Sequence, residues 1–303
     1  MFIDERYPSQ VELNDWIESI WSLAESAEGE VEVLSSNGFS HSLGVNHVGQ
    51  EFRYVLFRPK GLSPFYAYWQ PAYSSPAPLL VHVPGYGAEI STHPDLVEQG
   101  YNVLHVSPLG YATPEGPDES KKRDGDWPVL QDTILTGAME GYRHWLANVV
   151  IAVNWAMSKK EVINERVSFF GTSQGGGGAL LLGSIYKGKG VRCVAADLPF
   201  LTNFTAVKEG AYRRVPPTLE QLSNIADGWR ALGFIDTLSH ASRLDIPILL
   251  TGGGLDDVCP PETVETLFEA LPGTKCYFFL KEGVHRYSRE FITLTSSWFR
   301  LYA

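Results

Sequence analysis

The sequence predicts an α/β fold built on a mostly parallel β-sheet with helices on both faces. From about residue 78 onward, short apolar runs alternate with longer segments of helical periodicity. The apolar runs end in glycine-rich or polar turns, as the strands of a buried parallel sheet do. No internal repeat or low-complexity tract breaks this order, so we expect the 303 residues to form one domain.

The elements are expected in a simple order. An amphipathic helix lies within an N-terminal extension at residues 1–30, and two aromatic-rich strands follow it. The mixed segment at 200–242 is expected to form a largely helical, lid-like insertion at the carboxyl edge of the sheet, where ligands of this fold class bind. The other expected elements are strands in EFRYVLFRPKG, SPFYAYWQPA, PLLVHV, GYNVLHVSPLG, VSFFGTS, VRCVAADLPF, IPILLTGGG and KCYFFLKEG, one long helix in TILTGAMEGYRHWLANVVIAVNWAMSKK, and helices in GGGGALLLGSIYK, PETVETLFEALPG and REFITLTSSWFRLYA.

Composition narrows the possible partners. The formal net charge of -11 argues against nucleic acid and anionic membranes, which favour a basic surface. Three cysteines, Cys193, Cys259 and Cys276, are too few for a disulfide framework and match no zinc spacing. The opening MFIDERYPSQ lacks the basic start of a signal peptide, and no apolar run is long enough to span a bilayer. We therefore expect a cytoplasmic protein with reduced thiols.

A G-x-S-x-G motif, GTSQG at 171–175, lies between a predicted strand and a predicted helix. In that context the motif is typical of a nucleophilic serine, here Ser173, on a sharp turn. Gly171 and Gly175 would remove clashes with the neighbouring strand and helix. A phosphate-binding loop fits poorly, because Lys-Ser/Thr is missing after the last glycine and the spacing is wrong for a dinucleotide fingerprint. Simple close packing of glycines is the remaining alternative.

A nucleophilic serine needs a histidine base and a carboxylate that orients it, in the chain order Ser, acid, His for this fold class. His285 follows the last predicted strand, whereas His240 lies in the irregular segment and is expected to be a surface or packing residue. The loop LDDVCPP after the preceding strand offers Asp256 and Asp257, of which at most one can face the histidine. We favour Asp256 and expect Asp257 to cap the turn or the next helix.

The two oxyanion donors are expected to be backbone N–H groups. One belongs to Gln174, which follows the nucleophile at the start of a helix. The other is expected in the turn PGYGAE after PLLVHV, where Gly85 and Gly87 let the chain curl and Tyr86 offers its N–H. An ordinary turn remains the alternative at this position, and His82 in the strand before it is expected to be a buried structural residue.

Longer stretches resemble the acetyl xylan esterase / cephalosporin C deacetylase family, which is carbohydrate esterase family seven. GTSQGGGGALLL is similar to the family's nucleophile segment with its G-S-Q-G-G-G turn. AADLPFLTNF, LGFIDTLSHASRLDIPILLTGGGLDDVCPPETV and TGAMEGYRHWLANVVIAVNW resemble three further segments in order and spacing. The likeness covers about residues 78–290. Family members usually carry Arg-Gly-Gln where this chain has Ser107-Pro108-Leu109-Gly110, which marks it as a divergent member.

The resemblance implies an α/β-hydrolase fold, Ser173, Asp256 and His285 as the triad, and Tyr86 and Gln174 as oxyanion donors. It also implies removal of acetyl groups from small substrates such as acetylated xylo-oligosaccharides, and assembly of members into hexamers, so that a homo-oligomer is an open possibility here. The segment at 112–127 is expected to be a loop near the rim of the site.

We therefore expect a serine carboxylester hydrolase that deacetylates small acetylated sugars through an acyl-enzyme, without a metal or organic cofactor. Its expected partner is a small-molecule ester, and neither nucleic acid nor membrane. The alternatives are a serine peptidase or amidase, or a general short-chain carboxylesterase, on the same fold. A non-catalytic binding protein on a hydrolase scaffold is a third alternative.

Overall fold

The computed structural model describes residues 5–34, 53–87, 93–206 and 215–303, which form eleven strands and ten α-helices. The strands are β1 (Glu30–Val33), β2 (Arg53–Arg58), β3 (Phe65–Gln70), β4 (Ala77–Val83), β5 (Asn102–Ser107), β6 (Ala112–Thr113), β7 (Gly116–Pro117), β8 (Val162–Thr172), β9 (Val191–Asp197), β10 (Ile248–Gly253) and β11 (Lys275–Leu280). The helices are α1 (Gln10–Ser26), α2 (Pro94–Glu98), α3 (Val129–Leu135), α4 (Tyr142–Met157), α5 (Gln174–Ile185), α6 (Val215–Leu219), α7 (Ile225–Ile235), α8 (Thr237–His240), α9 (Pro261–Ala270) and α10 (Arg289–Tyr302).

Nine of these strands form one sheet in the order β1-β2-β3-β5-β4-β8-β9-β10-β11. The pairings from β5 through β4, β8, β9 and β10 to β11 are parallel, whereas β1, β2 and β3 join the sheet through antiparallel pairings. Strands β6 and β7 form a separate two-stranded hairpin. The predicted α/β fold with a mostly parallel sheet is therefore confirmed. The carboxyl ends of its parallel strands meet at one edge, where residues from different loops come together.

Both faces of the sheet are buried under helices, as predicted. Side chains of a strand alternate between the faces. In β4, Leu79 and Val81 therefore join a large core that includes buried residues of α1, α4, α5 and α9. Leu80 faces the other way, into a smaller core formed with residues of α2 and α10. Continuous apolar runs such as PLLVHV were recognisable as strands because both of their faces are covered.

The prediction of one long helix through TILTGAMEGYRHWLANVVIAVNWAMSKK is wrong. The segment contains α3 and α4, and between them Gly137, Ala138 and Gly141 all have φ values from 60° to 65°. A side chain at Gly141 would overlap the Val129 carbonyl and would also sit in a left-handed conformation. The indole N–H of Trp16 in α1 donates to the Ala138 carbonyl at 2.9 Å, so a distant helix holds the break in place.

The predicted insertion at 200–242 contains α6, α7 and α8, and residues 207–214 of it lie outside the described residues. Its longest helix, α7, packs against α3 and the N-terminal segment. Gly228 lies against Ile134, and Arg230 forms an ion pair with Glu12. The predicted N-terminal extension likewise contains α1, and its residues 1–4 are not described. A lid function for the insertion stays a prediction.

Within the described ranges, none of the helices combines the length and apolarity that a membrane crossing requires.

Candidate active site

Ser173 occupies the turn between β8 and α5, with φ of 59° and ψ of −122°. A residue with a side chain seldom adopts this backbone conformation, and it persists only where surrounding contacts impose it. Here the Ser173 N–H donates to the Asp197 carbonyl at 2.9 Å. The Ser173 carbonyl accepts from the N–H groups of Gly177 at 3.0 Å and Phe200 at 2.9 Å. These contacts fix the serine at the carboxyl edge of the sheet.

The glycines on either side of the motif permit this turn. A Cβ atom added to Gly171 or to Gly175 would overlap the carbonyl oxygen of Val83, at the end of the neighbouring strand β4. Backbone atoms cannot move aside as a flexible side chain can, so both positions require glycine. The G-x-S-x-G spacing thus reflects the close approach of β4 to the start of α5.

Two further residues lie near Ser173, on loops at the same edge of the sheet. His285 follows β11, and its Nε2 lies 2.9 Å from Ser173 Oγ. Asp256 follows β10, and its Oδ2 lies 2.9 Å from His285 Nδ1. A proton on Nδ1 satisfies the carboxylate and leaves Nε2 to accept the serine hydroxyl; this tautomer is inferred from the partners. The arrangement can therefore activate the serine as a nucleophile.

The surroundings distinguish Asp256 from its neighbour. Asp256 Oδ1 accepts from the N–H groups of Val258 at 2.9 Å and Cys259 at 2.8 Å, which orients the carboxylate. The Asp256 side chain is fully buried, and the His285 side chain is 22% exposed. Asp257 is exposed. Of the two adjacent aspartates, the structure brings Asp256 to the histidine.

The turn after β4 also lies beside Ser173. A Cβ added to Gly85 would lie 3.8 Å from Ser173 Cβ, which places the turn that carries Tyr86 beside the serine. Gln174 is the first residue of α5, and the N–H groups of a first helical turn have no acceptor within the helix. The positive end of the helix dipole adds to the potential at this point.

Tyr142, which the sequence analysis missed, links the two expected oxyanion residues. Its hydroxyl lies 2.9 Å from the hydroxyl of Tyr86 and donates to Gln174 Oε1 at 2.9 Å. Gln174 is 2% exposed, so this hydrogen bond is shielded from water. Tyr142 opens α4, directly after the break at Gly141. No local sequence signal marks it, because its position depends on that break.

Asp197, the last residue of β9, has a second buried carboxylate near the serine. Its Oδ2 accepts from the Thr172 hydroxyl at 2.9 Å, and its Oδ1 accepts from the Thr251 hydroxyl. Burial raises the pKa of Asp197 to about 6, although both threonine hydrogen bonds and the nearby His285 lower it. Since its backbone carbonyl holds the N–H of Ser173, Asp197 is part of the support of the turn.

An aromatic pocket opens next to Tyr86. Trp127 stacks on Tyr86, with ring centroids 6.1 Å apart and an interplanar angle of 11°. Tyr111 meets Trp127 edge-on at 4.7 Å, and the Lys122 ammonium lies 5.2 Å from the Trp127 ring. Trp127 closes the segment at 112–127 and lines the pocket beside the turn after β4, so this end of the segment does lie near the site. The pocket is lined by Pro84, Gly85, Tyr86, Gly87, Ser107, Pro108, Leu109, Tyr111, Trp127, Trp145 and Gln174.

His240 belongs to the core and not to this site. Its Nδ1 lies 2.8 Å from Ser184 Oγ and its Nε2 lies 2.9 Å from the Phe234 carbonyl. Burial lowers the pKa of His240 to about 4, so the ring is neutral near neutral pH. It is a packing residue, one of the two roles expected from the sequence.

Asp256, Cys259 and His285 lie close enough together to suggest a metal site, with one ligand atom of each within 4.8 Å of the others. Burial raises the pKa of the Cys259 thiol well above its usual range. A metal ion binds the thiolate, which this environment disfavours. The two other members are already hydrogen-bonded to each other. The donor set therefore suits proton transfer better than metal binding.

Residues 55–301 match the family model described as acetyl xylan esterase (AXE1). Similar solved structures include acetyl xylan esterase 1 from Thermoanaerobacterium sp. JW/SL YS485, with a TM-score of 0.79 and 19% identity over 96% of this chain and 94% of that one. The acetyl xylan esterase from Paenibacillus sp. R4 has a TM-score of 0.81 and 18% identity over 99% of this chain and 98% of its own. The acylaminoacyl peptidase of Pyrococcus horikoshii matches less well, with a TM-score of 0.59, 16% identity, and coverage of 80% of this chain and 38% of that one. At these identities the likeness shows a shared fold, the predicted α/β-hydrolase fold.

Proposed function

The chain belongs to the acetyl xylan esterase family and is a serine carboxylesterase of the deacetylase type, and from this premise we propose that Ser173, His285 and Asp256 perform its reaction. The observation that carries the proposal is the chain of two 2.9 Å contacts from Ser173 Oγ through His285 to Asp256. Two backbone N–H groups, those of Tyr86 and Gln174, complete the proposed site as oxyanion donors.

The reaction proceeds by acyl transfer. His285 Nε2 takes the hydroxyl proton as Ser173 Oγ attacks the ester carbonyl, and Asp256 stabilises the imidazolium that forms. In this proposal the oxyanion develops against the N–H groups of Tyr86 and Gln174, which stabilise the charge of the transition state. His285 then returns the proton to the leaving alcohol, and an acetyl-serine remains. Water, deprotonated by His285, hydrolyses that ester and restores the enzyme.

The proposed substrate is a small acetylated sugar. The two acetyl xylan esterases of matching length act, by their names, on acetylated xylan. The aromatic pocket at Trp127 and Tyr111 supports the proposal, since pockets that bind small molecules combine aromatic walls with a few polar groups. A cytoplasmic location and assembly into a homo-oligomer remain proposals from the sequence.

A substrate series tests this function. We expect p-nitrophenyl acetate to be cleaved faster than the butyrate and octanoate esters, and acetylated xylo-oligosaccharide to release acetate, with peptide anilides left intact. Each methylene that fits the pocket poorly changes the activation free energy by about 1–3 kcal/mol, which is roughly 10–200-fold in kcat/KM. The preference is therefore measurable. Hydrolysis of anilides alone would identify a peptidase or amidase, and butyrate cleaved as fast as acetate or faster would identify a general short-chain carboxylesterase.

Trp127→Ala tests whether the aromatic pocket binds the sugar part of the substrate. We expect it to reduce kcat/KM on acetylated xylo-oligosaccharide by more than its reduction on p-nitrophenyl acetate, because it removes pocket wall and leaves the triad in place. Equal losses on both substrates would contradict a role in binding the sugar.

A further inference from the structure

Three histidines meet inside the smaller core, on the face of the sheet that carries Leu80. His82 in β4 and His105 in β5 are direct neighbours in the parallel register of these strands. His93 immediately precedes α2 and packs its ring on His82, with centroids 4.6 Å apart. Phe170 of β8 closes the group, 4.8 Å from His82 and 5.1 Å from His93. The proposed ester hydrolysis uses none of these three imidazoles.

The ring nitrogens of this cluster face one another. His82 Nδ1 lies 2.6 Å from His105 Nδ1, and one ring nitrogen of each of the three histidines lies within 4.8 Å of those of the others. His93 Nε2 is buried and has no hydrogen-bond partner among the residues that the structure describes. A buried polar atom without a partner is uncommon and indicates either strain or a missing ligand.

The chemistry of the three side chains suits a metal ion. A neutral imidazole keeps one nitrogen lone pair, and neutral imidazoles are the commonest metal ligands in proteins. The cluster presents three such rings with their nitrogens close together.

We propose that His82, His93 and His105 form a binding site for a divalent transition-metal ion, with Zn²⁺ as the best-suited ion. Three imidazole nitrogens suit zinc, at Zn–N distances of about 2.0–2.1 Å, with a water molecule as the fourth ligand of the tetrahedron. The nitrogens of such a site lie roughly 3.3 Å apart, so the rings of His82 and His105 must separate slightly. Binding through both Nδ1 atoms moves the proton shared between them to the Nε2 of its own ring, and no proton leaves the pair.

The position of the site gives the ion a structural role. His82 lies one residue before the end of β4, and His93 precedes α2, so the ion would join the two ends of the connection between these elements. That connection carries Tyr86. Metal binding is thus expected to stabilise the folded chain by mass action, because the unfolded chain does not hold the three imidazoles together.

Metal titration of tag-free protein, stripped with a chelator, tests the proposal. With Co²⁺ as the spectroscopic probe, we expect one ion per chain, visible d–d absorption, displacement by Zn²⁺ and a raised Tm. His93→Gln is expected to weaken Co²⁺ binding at least tenfold. Even replacement of residues that hydrogen-bond to the ligands lowers metal affinity by about 10–100-fold. His144→Gln, a half-buried histidine of α4 outside the cluster, and His285→Gln, which breaks the group with Asp256 and Cys259, should bind as the wild type does.

X-ray absorption of the Zn²⁺-loaded wild type gives a second test that needs no variant. Three nitrogen neighbours with imidazole scattering are expected. A sulfur neighbour would place the ion at a cysteine, outside the three-histidine site, and overturn the proposal. The proposal is also overturned if the stripped wild type takes up no ion, or if His93→Gln binds Co²⁺ as tightly as the wild type.

Discussion

The proposed site around Ser173 has an acid–base side and an oxyanion side. The first uses side-chain atoms, and the second uses backbone N–H groups. On the acid–base side, His285 and Asp256 contribute side-chain atoms, each held by a hydrogen bond of 2.9 Å. On the oxyanion side, Tyr86 and Gln174 are proposed to contribute backbone N–H groups. The side chains of Tyr86 and Gln174 both contact the Tyr142 hydroxyl. We expect these contacts to hold the backbone of the two residues in place.

This difference decides how each side responds to substitution. A side-chain group is lost when its residue is replaced, so the acid–base side is expected to be sensitive at two positions. A backbone N–H survives replacement of its own residue, so the oxyanion side is expected to be sensitive where its backbone is held, at Tyr142 and at the glycines of the turn.

The largest effect is expected from Asp256→Asn on the acid–base side. The amide cannot stabilise the imidazolium of His285 and favours the wrong tautomer, so kcat on p-nitrophenyl acetate should fall by about 10³–10⁴-fold. Asp257→Asn is the matched control on an exposed neighbour, and we expect its kcat to stay within about threefold of the wild type. A larger loss of kcat in the Asp257 variant would show that Asp257, and not Asp256, is the acid of the triad.

A smaller effect is expected from Tyr142→Phe on the oxyanion side. The change removes the hydroxyl shared by Tyr86 and Gln174, a net loss of about 0.5–1.5 kcal/mol, so kcat should fall by roughly 2–12-fold with KM little changed. Tyr186→Phe is the control, because that buried hydroxyl bonds to Asn154 at 3.2 Å, away from the serine. If both variants lose stability alike and neither loses kcat, Tyr142 has a structural role alone.

The smallest effect on rate is expected from Asp197→Asn, which acts through pH and stability. The folded pKa of Asp197 is raised to about 6 from an ordinary 3.8, so its contribution to the free energy of unfolding is present below pH 4 and is lost as the pH rises through 6. Relative to the variant, the wild type should therefore lose up to about 3 kcal/mol between pH 4 and pH 7.

Urea unfolding of both proteins across that range measures the Asp197 difference. Asp257→Asn serves again as the exposed control and should track the wild type at every pH. A wild-type stability that stays constant relative to Asp197→Asn, or that rises with pH, would contradict the raised pKa.

Residues of the proposed site could be named from the sequence where residue type carries the chemistry. Ser173, His285 and Asp256 could be proposed because few other residues in the right order offer a hydroxyl, an imidazole and a carboxylate at strand ends. Tyr142 could not be found, because the break before α4 depends on the distant indole of Trp16 in addition to local glycines.

The elements of the fold also differ in how visible they are in the sequence. Strands buried on both faces, such as β4 and β5, stand out as apolar runs. Strand β1 was not predicted, because its alternating EVEV sequence spans only four residues, all of them exposed at the edge of the sheet. The short helix α2 was missed as well, since five residues give too little periodicity to detect.

The most direct test of the central claim is covalent labelling with a fluorophosphonate probe, followed by peptide mass spectrometry. We expect one phosphonyl group per chain, on Ser173, with esterase activity lost in proportion to labelling and no labelling of Ser173→Ala. Complete labelling at another residue, or labelled protein that retains its activity, would contradict the assignment of Ser173 as the nucleophile.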